Sequence, residues 1–264
     1  VTDCDAFRRF AVEAARAAGE VIRDGAQRPI DITSKGLRNL LTNIDLAAEG
    51  VIVDAIHKQY PDHDVLTEET PPGQRSSRCR WVIDPLDGTG NFSRRFPCFS
   101  TSVALTLDER SIAGAVYDPL LDQAFSASLG GGATLNGEAL HVTENTELIQ
   151  TLIGMDWTRD AKTREQNACI IAELAPVCGT LRICGSAALA ICYVAAGFWD
   201  AYWHLCLSPW DAAAGSLIVR EAGGAVTDLA GRDWQLDTGP CLASNGRLHD
   251  QFRGYVNQGC DRIP

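Results

Sequence analysis

The chain has 264 residues, enough for one large domain or two packed halves with a real core, and 45% hydrophobic with 22% charged residues is a globular balance. A formal net charge of -11 argues against a nucleic-acid groove, where lysine and arginine would cluster, but not against an anionic substrate if carboxylates hold divalent cations. The ten cysteines form no C-x-x-C pair, which excludes ordinary zinc spacing; they read as reduced, buried thiols, with Cys79 or Cys98 as candidates for a redox role.

Phe7, Phe10, Ala11, Ala14, Ala18, Val21 and Ile22 recur at helical spacing behind a cap at Thr2 or Asp3, and Gly25 to Pro29 ends that helix. The charged start (Asp3, Asp5, Arg8, Arg9) is unlike a signal peptide, and Ala187–Phe198 is shorter than the ~20 residues that span a bilayer. A cytoplasmic protein without membrane contact is therefore expected. Residues 30 to 42 read as strand and loop. A second helix runs from about Asp45 to Gln59 with Val51, Ile52, Ala55 and Ile56 inward, stopped by Tyr60-Pro61-Asp62. Short strands follow at Val65–Thr67 and Arg80–Asp84, then antiparallel ones at Ser100–Leu107, Ile112–Tyr117 and Gln123–Ser128. Gly130-Gly131-Gly132 and Asn136-Gly137 are turn signals. The second half alternates: helix over 161–174, strand Leu181–Cys184, helix Ser186–Ala196, strand Trp199–Trp203, and helix Trp210–Ala222 with Ser208 as cap and Pro209 in its first turn. This order predicts a layered α/β fold with halves 1–140 and 141–264, meeting near residues 135 to 150.

The chemistry gathers on Asp84-Pro85-Leu86-Asp87-Gly88-Thr89, where a strand leaves its sheet. Two carboxylates so close repel each other and invite a cation, and oxygen-only ligands favour magnesium, manganese or calcium. Amides beyond Asp87 open a helix whose start suits a phosphate. A capped Asp-Gly turn explains the same residues without function. Glu68-Glu69 alone reads as surface charge, and Asp45 and Asp211 alone read as acids in first helical turns.

Taken together, Glu68-Glu69, Asp84-Pro-Leu-Asp-Gly-Thr-Gly-Asn-Phe92, and Trp210-Asp-Ala-Ala-Ala-Gly215 followed by Glu221-Ala-Gly-Gly224 resemble the signatures of the inositol monophosphatase family. Lys35 with Thr42-Asn-Ile-Asp45, Gly114-Ala-Val-Tyr-Asp-Pro119, Leu135-Asn-Gly137 and Gly185-Ser-Ala-Ala-Leu189 extend the likeness over nearly the whole chain. The resemblance implies a layered αβαβα sandwich of the inositol monophosphatase and fructose-1,6-bisphosphatase type, a homodimer, and magnesium-dependent hydrolysis of a small phosphorylated polyol. It implies two or three magnesium ions, with manganese as a substitute and calcium and lithium as inhibitors. Glu68, Asp84 and the Leu86 carbonyl would hold one ion, Asp84, Asp87 and Asp211 a second, and Glu68 with water a third. Thr89, bonded to Asp45, would orient the attacking water with help from Glu68; Glu69 would stand behind the ligands. Asp87, Gly88, Thr89, Gly185, Ser186, Ala187, His204 and Asp211 would face the substrate.

The match departs at His204, seven residues before Asp211, where inositol-specific members carry a glutamate that grips substrate hydroxyls. A histidine there can hydrogen-bond a polyol, attract an extra anion if protonated, or simply pack at a strand end. The loop from Lys35 to Asp45 is one residue shorter than in the animal enzymes and has Asn39 where they have aspartate, near the third metal position. Inositol monophosphate is the first substrate expected, ahead of histidinol phosphate, fructose 1,6-bisphosphate or a nucleotide 3'-phosphate. A non-catalytic binding module is the reading from another class.

Overall fold

The computed structural model describes residues 3–71 and 73–262. Its first helix, α1 (Cys4–Gly25), buries Phe10, Ala11, Ala14, Ala18 and Ile22 of the expected stripe and leaves Phe7 and Val21 half-buried. Asp3 caps it by accepting from the Ala6 amide at 3.1 Å. Thr2, the other candidate cap, lies outside the described residues. Residues 32–42 form an antiparallel hairpin of β1 (Ile32–Gly36) and β2 (Asn39–Thr42). Helix α2 (Asn43–Gln59) starts before its apolar pattern does, because Thr42 and Asp45 close a capping box. Its buried apolar face is Ile44, Ala48, Ile52 and Ile56, leaving Val51 and Ala55 only half-buried.

Next come β3 (Asp64–Thr67), β4 (Cys79–Asp87), the five-residue α3 (Thr89–Ser93), β5 (Ser100–Leu107), β6 (Arg110–Asp118), β7 (Gln123–Ser128), β8 (Gly132–Leu135) and β9 (Glu138–Ala139). Strands β3 to β9 pair in chain order into a seven-stranded sheet; β3 runs parallel to β4 and every later pair is antiparallel. The rest of the chain supplies β10 (Leu152–Met155), α4 (Ala161–Leu174), β11 (Thr180–Ile183), α5 (Ala187–Ala195), β12 (Ala201–Leu207), α6 (Pro209–Glu221), β13 (Ala225–Thr227), β14 (Gly239–Ser244) and α7 (His249–Asp261). Its five strands pair in the order β11-β10-β12-β14-β13. Strand β12 runs to Leu207 rather than stopping at Trp203, so His204 is a mid-strand residue, not one at a strand end. Strands β10, β13 and β14 and helix α7 are not assigned from the sequence motifs, although α7 is clearly amphipathic, burying Phe252, Val256 and Gly259 on one face.

Alternation along the strands explains the layering. Trp81, Ile83, Val103, Leu105, Ala113 and Ala115 face α1 and α2. Val82, Ala104, Val116 and Phe125 face the other way, against α5 and α6. Those two helices also cover Tyr202, Cys241 and Ala243 of the second sheet, whose far face packs Met155, Trp203 and Leu242 against Ile170 and Leu174 of α4 and Phe252 and Val256 of α7. The result is five layers, α-β-α-β-α, with α5 and α6 shared by both sheets. Full burial explains why α5 is apolar all round; each large side chain so buried contributes ~1.5–3 kcal/mol. All ten cysteines are free thiols, but only four are buried, fewer than the sequence suggests, and the exposed one is Cys206 rather than Cys79 or Cys98.

Candidate active site

A cavity of about 640 Å³ opens between the two sheets, and Glu68, Asp84, Leu86, Asp87, Gly88, Thr89, Gly185, Ala187, His204 and Asp211 all line it. Its floor begins with an irregularity in β4. Residues three apart on a regular strand point to opposite faces. Between Asp84 and Asp87 the pairing with β5 slips, Asp84 opposite Ser102 but Asp87 opposite Ser100. One extra residue is thus accommodated as a bulge, in which Pro85 has no amide to lose from the ladder. The bulge turns both carboxylates to one side, where they meet Asp211 from the first turn of α6. One ligand oxygen from each of Asp84, Asp87 and Asp211 lies within 4.8 Å of the other two.

Each of these acids is fixed by a main-chain amide. Leu86 N–H donates to Asp84 Oδ1 at 3.0 Å, Ser208 N–H to Asp211 Oδ2 at 2.7 Å, and Ala188 N–H to Asp87 Oδ2 at 2.8 Å. The other oxygens of Asp84 and Asp211 have no protein hydrogen bond among the described residues. Burial, reinforced by Glu68 and the neighbouring aspartates, pushes the carboxyls of Asp84 and Asp211 well above the usual range. Burial also raises Asp87, to about 6, against the opposing bonds from Ser186, Ala188 and Ala187. Two buried carboxylates and one half-buried, with converging oxygens, suit a hard divalent cation such as magnesium, which relieves their mutual repulsion.

Glu68 stands at the same cavity outside this group of three. Its carboxylate is 3.2 Å from Lys35 Nζ and 3.7 Å from an Arg159 nitrogen. Glu69 is turned away into a pair with Lys35 at 2.7 Å, with its side chain 1% exposed. Burial lifts the Glu69 carboxyl to about 6, partly offset by that lysine.

Thr89 Oγ1 lies 3.0 Å from Asp45 Oδ1 and 3.0 Å from the Leu86 carbonyl, and its one proton can go to only one of them. Asp45 has two jobs: Oδ2 accepts the Thr42 amide at 2.8 Å to close the α2 capping box, while Oδ1 faces Thr89. Burial raises its carboxyl, against the bonds from Thr42 and Thr89. The capping role and the site role, alternatives in the sequence, are both realised.

Gly88 and Gly185 mark a close approach between the turn after β4 and the loop before α5. Gly88 has φ +89°, and a Cβ there would lie 3.0 Å from the Cys98 carbonyl and 3.1 Å from that of Gly185. Gly185 has φ +77°, and a Cβ would lie 2.6 Å from Asn91 Nδ2, which itself donates to the Cys98 and Cys184 carbonyls. Ser186 does not reach the cavity as expected: it is fully buried, and its hydroxyl donates to Asp87. The Asp87 carboxylate also receives the first amides of α5, so the loop 185–188 positions an acid.

Three features escaped the sequence reading. Asp156, at the end of β10, is buried and accepts the Cys184 and Gly185 amides and the Tyr202 hydroxyl. Burial, reinforced by Asp87 and opposed by those three bonds, raises its carboxyl to about 7. Arg38 and Arg159 reach the cavity from the β1–β2 turn and the loop after β10. No local pattern marks any of the three, since their partners are remote in sequence. His204 is 8% exposed, and its Nδ1 accepts the Cys206 amide at 3.1 Å. Burial, then the charge of Arg159, holds this imidazole down at about 4, so the protonated form considered from sequence is set aside in favour of a neutral ring.

The comparisons with known proteins give the family and the fold. Residues 3–259 match the model of the inositol monophosphatase family. Over 243 residues, 90% of this chain and 91% of the relative, the chain is 42% identical to Nus factor SuhB of Salmonella typhimurium. It is 36% identical to inositol monophosphatase 3 of Solanum lycopersicum over 96% of this chain and 97% of that one. Among solved structures, the Thermotoga maritima IMPase superimposes with a TM-score of 0.91 at 33% identity, covering 97% of this chain and 98% of that chain. With the five layers and the acid cluster as its folded counterpart to these matches, the chain belongs to the inositol monophosphatase family.

Proposed function

We propose that this chain is a magnesium-dependent phosphomonoesterase acting on a small phosphorylated alcohol. The observation that carries the reading is the convergence of Asp84, Asp87 and Asp211 beside the Thr89–Asp45 pair. Glu68, Asp84 and the Leu86 carbonyl would hold one magnesium ion and Asp84, Asp87 and Asp211 another, with Glu68 and water for a third. Bound there, the ions would supply Lewis-acid polarisation of the phosphate and a more acidic water. Thr89 accepts from the attacking water while donating to Asp45, whose buried carboxylate draws the proton away, assisted by Glu68. Amides at Gly88 and Thr89 face the phosphate oxygens. Attack is in line and direct, without a phosphoenzyme. Asp84→Asn or Asp211→Asn is expected to abolish magnesium-dependent phosphate release with the circular dichroism unchanged; near-normal turnover by either folded variant would sink the assignment.

Inositol monophosphate comes first among candidate esters by family, then histidinol phosphate, fructose 1,6-bisphosphate and nucleotide 3'-phosphates. The cavity wall, not the acid cluster, selects among them. The halves 1–140 and 141–264 belong to the same reading, the first holding most ligands and the second bringing Asp211. So does the homodimer, checked by light scattering of the purified protein. Among the described residues no helix is long and apolar enough to cross a membrane.

Identity to relatives named Nus factor SuhB supports a second reading, a binding role beside hydrolysis. The expectation of no nucleic-acid partner is therefore not carried forward. Asp84→Asn separates the two roles, because it removes the chemistry and leaves the outer surface intact.

A further inference from the structure

We infer that the alcohol half of the substrate carries a second oxyanion, a carboxylate or a second phosphate, received by Arg159, Arg38 and the Nε2–H of His204. The inference rests on the phosphatase reading and concerns the wall of the cavity above the acid cluster. Three donor side chains stand on that wall, beside the carboxylates of Asp156 and Asp160. The pairing of β12 with β14 slips between His204 and Leu207, and this irregularity frees the Cys206 amide to donate to His204 Nδ1. With Nδ1 occupied as an acceptor, the proton of the neutral ring sits on Nε2. His204 therefore offers the cavity a donor and no acceptor. A sugar hydroxyl finds no strong acceptor in this ring; an oxyanion gains a donor.

The two arginines supply the charge. Arg38 Nη1 donates to the Arg159 carbonyl at 2.7 Å, which ties the tip of the β1–β2 hairpin to the loop between β10 and α4 and sets both residues on the same cavity. The Arg159 side chain is 60% exposed; its ion-pair partner Glu68 is 3.7 Å away, beyond hydrogen-bond reach, and Asp211 feels its charge without an ion pair. Its donors are therefore available. Asp160 also lines the wall, but its carboxylate is committed to Thr163, accepting the amide at 3.0 Å at the start of α4. A guanidinium prefers a planar or tetrahedral oxyanion over a hydroxyl, because two charge-assisted bonds replace one neutral bond. Trp157 and Ile183 complete the wall with apolar surface that suits a short carbon skeleton.

The test uses matched esters with magnesium and reads phosphate release. 2-Phosphoglycerate against glycerol 2-phosphate isolates a carboxylate; fructose 1,6-bisphosphate against fructose 1-phosphate isolates a second phosphate. The wild-type protein is expected to favour the acid-bearing partner of at least one pair by about tenfold in kcat/KM, mainly through KM. Whichever pair shows the larger ratio names the oxyanion. Arg159→Met and Arg38→Met should each shrink that ratio at least about threefold, and His204→Glu should shrink it and raise inositol 1-phosphate relative to both acid-bearing esters. Equal use of both partners in both pairs, or a ratio unmoved by Arg159→Met, overturns the inference and leaves the phosphatase reading standing. Absence of release from every ester overturns the phosphatase reading, and this inference with it.

Discussion

Thr89 and Asp45 show how one residue can serve the fold and the chemistry together. Asp45 Oδ2 closes a helix cap and thereby aims Oδ1 at Thr89, so the cap fixes the direction in which a proton would leave. The proposed mechanism requires a hydroxyl at residue 89, and little else. Thr89→Ser is expected to keep kcat within about tenfold of wild type, whereas Thr89→Val, equal in shape, should lower kcat at least about 100-fold. Single-turnover phosphate release with both variants checks this, and equal rates for serine and valine would remove Thr89 from the proton path. Both members of the pair could be read from the sequence, because the capping signal is local and Thr89 follows the Asp-Gly turn directly. His204 could not: its tautomer is set by the Cys206 amide inside an irregularity of β12, and nothing in the heptapeptide around it announces a slipped register.

At the level of elements, the join between β10, β11 and α5 matters most. Asp156 ends β10 and holds the Cys184 and Gly185 amides; the next residues, Ser186 to Ala188, hold Asp87. Asp156 is thus a positioning residue acting through the loop on a carboxylate of the cluster. Its carboxyl stands at about 7 in the folded chain, above its ordinary 3.8, chiefly through burial. Between those values the folded chain keeps a proton that the unfolded chain has released. Its contribution to stability is therefore present below about pH 4 and lost as pH rises through about 7. Asp156→Asn cannot ionise, can still accept both amides, and can donate to Tyr202 Oη. It is expected to be more stable than the parent at pH 8, on the order of 2 kcal/mol, with a smaller gap at pH 5. Urea unfolding in chelator at both pH values tests the sign; a variant less stable at pH 8 would show that the ionised carboxylate is needed.

The whole molecule places three buried or half-buried acids at one point between two sheets, with Glu68 on the same cavity, against the general preference for dispersing charge. Ionising Asp84, Asp87 and Asp211 together costs stability, and a bound cation offsets that cost. Magnesium at about 100 times its dissociation constant should add ~2.7 kcal/mol and raise Tm by about 5 °C, a rise reversed by chelator and missing in Asp84→Asn. Scanning calorimetry reads this without any assay of activity, and a Tm indifferent to magnesium would argue against a built cation site.

Much of this architecture was legible beforehand. α1 announces itself through cap and period, α6 through Ser208 and Pro209 at its start, β5 to β7 through alternation, and the acid-rich turn through its own composition. These are short-range effects, decided by residues within a few positions of one another, so the amino-acid order by itself determined the elements, the chemical type of the site and its family. The second sheet's weaker strands, the loop's hold on Asp87, the partner of Asp156 and the meeting of Arg38, Arg159 and His204 on one cavity wall were decided only in the tertiary structure. The physical reason is separation: Asp87 meets Ala188 across about a hundred residues and Arg38 meets Arg159 across more, and hydrogen bonds act over ångströms in space whatever the distance along the chain.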